Sequence, residues 1–124
     1  MSIISQLPTV VQDCIGAADL GGGTYRLDFA ASSRAATAAE VLEAARAVRI
    51  AAINAECRAR LIARYGPAEE QVSRSIGVYG AQAQSDMQAG IAATIDASNV
   101  AQNAILAAAD IAAVEAVTVA WPVI

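Results

Sequence analysis

The sequence predicts a mainly α-helical, alanine-rich fold. It is a helical hairpin or an elongated helical bundle, with a small N-terminal β-hairpin and an extended C-terminal tail. Three observations predict it. Alanine, the strongest helix former, supplies about a quarter of the 124 residues; hydrophobic residues reach 56% while aromatics stay at 4%. A long run from Thr37 to Tyr65 opens on a capping pattern and closes on Gly66-Pro67. Before it, Thr24 to Phe29 alternates, with Tyr25, Leu27 and Phe29 on one face and Thr24, Arg26 and Asp28 on the other.

Residues 1–31 read as an N-terminal β element or anchor. They carry Pro8 and the run Gly21-Gly22-Gly23, and they lack long helical periodicity. Val10 to Ile15 is the expected partner of the Thr24–Phe29 strand, with Asp19 to Gly23 as the connection. An isolated hairpin is marginal in water, so it should dock on the helices or on a neighbouring subunit.

Residues 32–66 read as a basic helix. Thr37 and Glu40 form a capping box, although Ser33 could cap a helix that starts earlier. Val41, Ala45, Val48, Ala52, Ala55, Ala59 and Ile62 line one stripe, and Ile50, Ile53, Cys57 and Leu61 widen it. Glu56 and Arg60 stand four apart, the spacing of a surface ion pair. Arg58, Arg60 and Arg64 fill the last turns, where the helix dipole favours cations. Gly66 and Pro67 end the element.

Residues 67–116 read as acidic helical segments. Pro67 suits a first helical position, with Glu69 and Glu70 in the turn that follows. Gly77 and Gly80 predict a break. Met87, Ile91 and Ile95 repeat every four residues beyond it. Asn99 with Gln102 either caps a further helix or lies within one continuous helix, and Ile105, Ala108, Ala109, Ala112 and Glu115 extend the pattern. Residues 117–124 are β-branched and aromatic, and read as an extended apolar tail whose Trp121 seeks an apolar pocket.

Composition narrows the function classes. All eight basic residues are Arg, and there is no His. That removes the commonest general base, the commonest metal ligand and the main switch near neutral pH. A net charge of −4 argues against a nucleic-acid binder. No nucleophile–base pair, phosphate loop or metal spacing is present, so no catalytic, cofactor or metal residues are expected. Glu69-Glu70 complements a helix dipole, and the triple glycine lacks a following Lys and Ser/Thr. Cys14 and Cys57 are expected as reduced, buried hydrophobes. The first residues lack the basic segment of a signal peptide. Asp110 and Glu115 interrupt the apolar stretch after Ala104, so no membrane span is expected.

Charge is unevenly placed. Residues 34–64 carry six Arg against three acids, a net of +3, whereas residues 66–124 carry Arg74 against six acids, a net of −5. A basic helix joined by a tight turn to an acidic half suggests antiparallel packing, or a basic stripe that meets another surface. The interaction residues expected from these patterns are Val41, Val48, Ile53, Ile62, Met87, Ile91, Ile95, Ile105 and Trp121. Arg46, Arg49, Arg58, Arg60 and Arg64 form the expected charged interface. Alanine buries little area, so such helices gain most by packing closely against each other or against other copies.

The segment AARAVRIAAINAECRARLIA, from Ala44 to Ala63, resembles a helical stretch of small bacteriophage tail and tail-fibre-associated proteins. Ala113-Val114-Glu115-Ala116-Val117 and the closing Trp121-Pro122 are similar to the end of such proteins. The resemblance covers about half the chain and carries no functional residues beyond the helix. It implies a non-enzymatic structural component of the tail tip, baseplate or fibre attachment region. Such a component would be assembled in the host cytoplasm and found in the virion, with itself (a trimer foremost) and other tail proteins as partners. The alternative it leaves open is a cytoplasmic assembly factor for a tail fibre.

Overall fold

A computed structural model of the chain describes residues 2–123. The final residue of the expected tail, Ile124, and Met1 of the N-terminal element lie outside the described residues. In chain order the elements are α1 (Ile3–Val10), β1 (Gly16–Gly21), β2 (Thr24–Asp28), β3 (Ser33–Ala35), α2 (Ala38–Tyr65), α3 (Ala68–Ser75), α4 (Ala81–Ala107) and α5 (Ile111–Ala116). The protein is therefore mainly α, with a small antiparallel sheet near its N-terminus. It forms two compact units, Met1–Ala51 with Ile105–Ala116, and Ala52–Ala104 with Val117–Ile124.

The first unit begins with a helix where the sequence reading placed only β structure. Ser2 and Ser5 close a reciprocal cap: the Ser5 amide donates to Ser2 Oγ at 3.3 Å, and the Ser2 amide to Ser5 Oγ at 2.9 Å. Pro8 sits inside this helix and removes only one backbone donor from a short element. Ile3, Leu7 and Val10 recur at helical spacing, and Leu7 is fully buried beside Val11, Cys14, Leu27 and Ala44. Apolar burial of that face outweighs the proline.

Val10 to Ile15 is accordingly not the partner strand. Val11 and Cys14 enter the core, Asp13 takes a positive φ of 64°, and the chain turns into β1. The partner is Gly16–Gly21, antiparallel to β2 with Ala17 opposite Leu27 and Gly21 opposite Thr24. Its Gly, Ala and Asp residues have little β propensity. The turn fixes the register instead: Gly22 and Gly23, with φ of 61° and 79°, form a two-residue connection that glycine adopts freely. The loop is therefore shorter than the expected Asp19–Gly23 connection.

The alternation in β2 holds: Leu27 is fully buried, and Tyr25 and Phe29 pack against the same core. A third strand, β3, pairs with β2 and extends the hairpin, with Leu27 opposite Arg34. It occupies the place where a helix capped by Ser33 was one alternative.

The capping box of α2 is formed. The Thr37 amide donates to Glu40 Oε1 at 2.9 Å, and the Glu40 amide to Thr37 Oγ1 at 3.2 Å. Arg34 grips the same carboxylate with both guanidinium nitrogens, at 2.7 and 2.8 Å, and so ties β3 to the first turn of α2. Later in this unit, Arg46 Nη2 donates to the Ala108 carbonyl at 2.6 Å, just past the end of α4. The helical pattern breaks at Ala108–Asp110, where one continuous run was expected. The reason is Asp110, whose Oδ1 accepts from the Ala113 amide at 2.7 Å and caps α5. Val114 of α5 is buried.

In the second unit α2 ends at Tyr65, and Gly66 (φ 81°) donates its amide to the Ile62 carbonyl at 2.8 Å. α3 follows, with Glu69 and Glu70 in its first turn. Gly77 and Gly80, both at positive φ, lead into α4. α4 is one continuous helix through Asn99 and Gln102. It lies antiparallel to α2: Tyr65 reaches Asp86 and Gly90, and Gln102 donates to Asn54 Oδ1 at 2.7 Å.

Candidate interaction surface

The buried stripe of α4 is Met87, Gly90, Thr94, Ser98, Ala101 and Ile105, spaced three and four apart. Small and hydroxyl-bearing residues let the helices of this unit approach closely. Thr94 Oγ donates to the Gly90 carbonyl at 2.7 Å, and Ser98 Oγ accepts from Gln102 Nε2 at 2.9 Å, so neither hydroxyl is buried unpaired. Periodicity of large apolar residues selected Met87, Ile91 and Ile95 instead. Met87 is buried, Ile91 half-buried, and Ile95 exposed on a flank of the helix. Thr94, Ser98 and Gly90 carry no apolar signal in the sequence, because each is polar or helix-breaking on its own.

The remaining expected contact residues divide in the same way. Val41, Ile53 and Ile105 are buried, and Val48 is half-buried. Ile62 is exposed, because the lower half of α2 turns Ile53, Cys57, Leu61 and Tyr65 inward rather than the Ala55–Ala59–Ile62 stripe. Both cysteines are free, Cys14 buried and Cys57 half-buried.

The arginines do not form one continuous face. Arg46 is half-buried on the Ala108 carbonyl, and Arg49 is half-buried with a partner of its own. Arg58 is exposed. Arg60 pairs with Glu56 at 3.0 Å, the surface pair expected from their spacing, and its guanidinium stacks 4.8 Å from the centre of the Trp121 ring. Arg64 lies 5.1 Å from the Tyr65 ring.

The tail from Val117 to Val123 has no regular secondary structure. Val117, Val119 and Trp121 are half-buried while Thr118 and Ala120 are exposed, the alternation of an extended segment laid on a surface. Three shallow hollows of the second unit follow it, and together they form a channel along the tail between α2 and α4. Arg60, Ala63 and Arg64 of α2 line the channel near Trp121; Asp86, Ala93 and Asp96 of α4 line its other bank. Trp121 finds a guanidinium and Ala63 rather than a closed apolar pocket.

Large apolar side chains remain exposed elsewhere in this unit. Val72, Ile76, Val78 and Tyr79 are each more than half exposed within eight consecutive residues, and no residue of α3 is buried. Val100 and Val123 are exposed as well.

The chemistry of the described residues is sparse. Among the described residues, no group of three or more His, Cys, Asp or Glu could hold a metal ion, and no helix is long and apolar enough to cross a membrane. The Glu40 carboxyl is held well below its usual range, at about 2. The Arg34 guanidinium is the main cause, followed by the Thr37 amide. That site joins a strand to a helix end and opens on no catalytic constellation. Compared with known protein families, curated proteins and solved structures, the chain matches none of them.

Proposed function

We propose that this protein is a non-enzymatic structural component that works by packing against copies of itself and against larger partner proteins. The observation that carries this reading is the run Val72, Ile76, Val78 and Tyr79, exposed together on and after α3. Four large apolar side chains exposed within eight residues favour an interaction site, because leaving apolar area in water forfeits about 25 cal/mol per Å². The thin core supports the same reading. Alanine, Gly90, Thr94 and Ser98 bring helices together without burying much apolar area.

The resemblance of Ala44–Ala63 supplies the setting: the tail of a bacteriophage, at its tip, baseplate or fibre attachment region, with a trimer as the foremost assembly. Mass spectrometry of purified virions tests this setting. The reading expects the chain at a fixed ratio to tail proteins. Its absence from virions that nevertheless require it for fibre assembly assigns it to the assembly factors instead.

A further inference from the structure

We infer that copies of this chain associate side by side, in parallel, through the face of the second unit that carries the C-terminal tail. This rests on the self-association proposed above and assigns it a surface distinct from the exposed run on and after α3. One bank of the tail channel is formed by α2 and presents Arg64 beside Arg60; the other is formed by α4 and presents Asp86 and Asp96. Arg60 is already engaged by Glu56 and Trp121. Arg64 makes no ion pair among the described residues, although it borders the same hollow as Asp86. The Asp86 carboxylate accepts the Gln82 side-chain amide at 2.7 Å, and neither Asp86 nor Asp96 has an ion-pair partner among the described residues. Between the two banks lies apolar surface: the rim of Trp121, the exposed Val123 and, beside Asp96, the exposed Val100.

The face therefore has a positive edge on α2 and a negative edge on α4, with Arg64 and Asp86 bordering one hollow and apolar side chains of the tail and of Val100 beside them. Its complement is the same face on another copy. When copies are arranged about an axis parallel to α2 and α4, the positive edge of each meets the negative edge of the next. An antiparallel arrangement, with the axis across the helices, sets like charge against like. Complementary edges select partners and register more than they supply affinity, and the apolar middle supplies the burial. The occupant is thus a second copy of this chain, and its helices run in the same direction.

The test is a charge swap read by light scattering, with circular dichroism as the check on folding. Arg64→Glu alone, and Asp86→Arg with Asp96→Arg, should each raise the dissociation constant at least tenfold while leaving helicity unchanged. The three substitutions together restore opposite charges between positions 64 and 86 of neighbouring copies, Arg60 being held by Glu56, and should recover the wild-type mass at the same concentration. Val123→Cys should give a disulfide-linked dimer on mild oxidation that the wild type lacks, because Val123 is exposed on the proposed face. If reversed-charge variants keep the wild-type oligomeric mass, this face is not the interface, although self-association stands. If the triple variant stays dissociated, the pairing of edges is wrong. If oligomers form and Val123→Cys gives no new cross-link, the tail face is not the interface. A monomeric wild type overturns both this inference and the reading it rests on.

Discussion

The ring of Tyr65, at the last turn of α2, lies against the bare backbone of Gly90 in the middle of α4. A Cβ placed on Gly90 would stand 2.9 Å from Tyr65 Cζ and closer still to the hydroxyl, which makes a long hydrogen bond of 3.4 Å to the Asp86 carbonyl. Glycine costs a helix interior about 1 kcal/mol relative to alanine, so its replacement by alanine would ordinarily stabilise. Here the sign reverses. Gly90→Ala should destabilise by about 1–3 kcal/mol, the cost of overpacking. In a Tyr65→Ala background the same change should be neutral or stabilising. A double-mutant cycle by denaturant unfolding checks this; additive effects would disprove the contact.

Arg34 and Glu40 predict an acid-sensitive clasp. Glu40 ionises in the folded protein at about 2, against an ordinary value of 4.5. A depressed carboxylate stabilises the fold fully above its unfolded value, and that stabilisation fades as pH falls from about 4.5 toward 2. The midpoint of thermal unfolding should fall through that window in the wild type. Glu40→Gln should start lower at neutral pH and show a shallower fall. Thr37→Ala, which removes the other half of the cap, should cost about 1 kcal/mol at pH 7. Equal slopes for wild type and Glu40→Gln would rule out the clasp as the source.

Arg60 over Trp121 gives a spectroscopic handle on the tail, because Trp121 is the sole tryptophan. Arg60→Ala should make its fluorescence more accessible to acrylamide and shift its emission to the red. The loss in stability should be small, about 0.5–1 kcal/mol, since the pair is partly exposed. Unchanged quenching would mean that the apolar tail contacts hold Trp121 without the guanidinium.

The sequence was most legible where chemistry and position coincide. Thr37 with Glu40 marked the start of α2, and Gly66-Pro67 its end, because caps and breakers act locally. The alternation of Tyr25, Leu27 and Phe29 marked β2 for the same reason. α1 was hidden behind Pro8, although Ile3, Leu7 and Val10 share a face and Ser2 and Ser5 cap it. β1 has no strand-forming residues and exists because Gly22-Gly23 folds the chain back onto β2. β3 spans three exposed residues and owes its place to pairing alone. The contact face of α4 was the least legible part. Thr94 and Ser98 look polar until their hydroxyls are seen to be satisfied, and Gly90 acquires its purpose only from Tyr65, 25 positions away. Among the arginines, spacing could not distinguish Arg46, spent on the Ala108 carbonyl, from Arg64, which is free of ion pairs among the described residues.

Light scattering of the purified chain at micromolar concentration bears most directly on the proposed self-association. The expected result is a well-folded species whose mass is a small multiple of 12.6 kDa, with three copies foremost, dissociating on dilution. A stable, fully helical monomer across that range would contradict it.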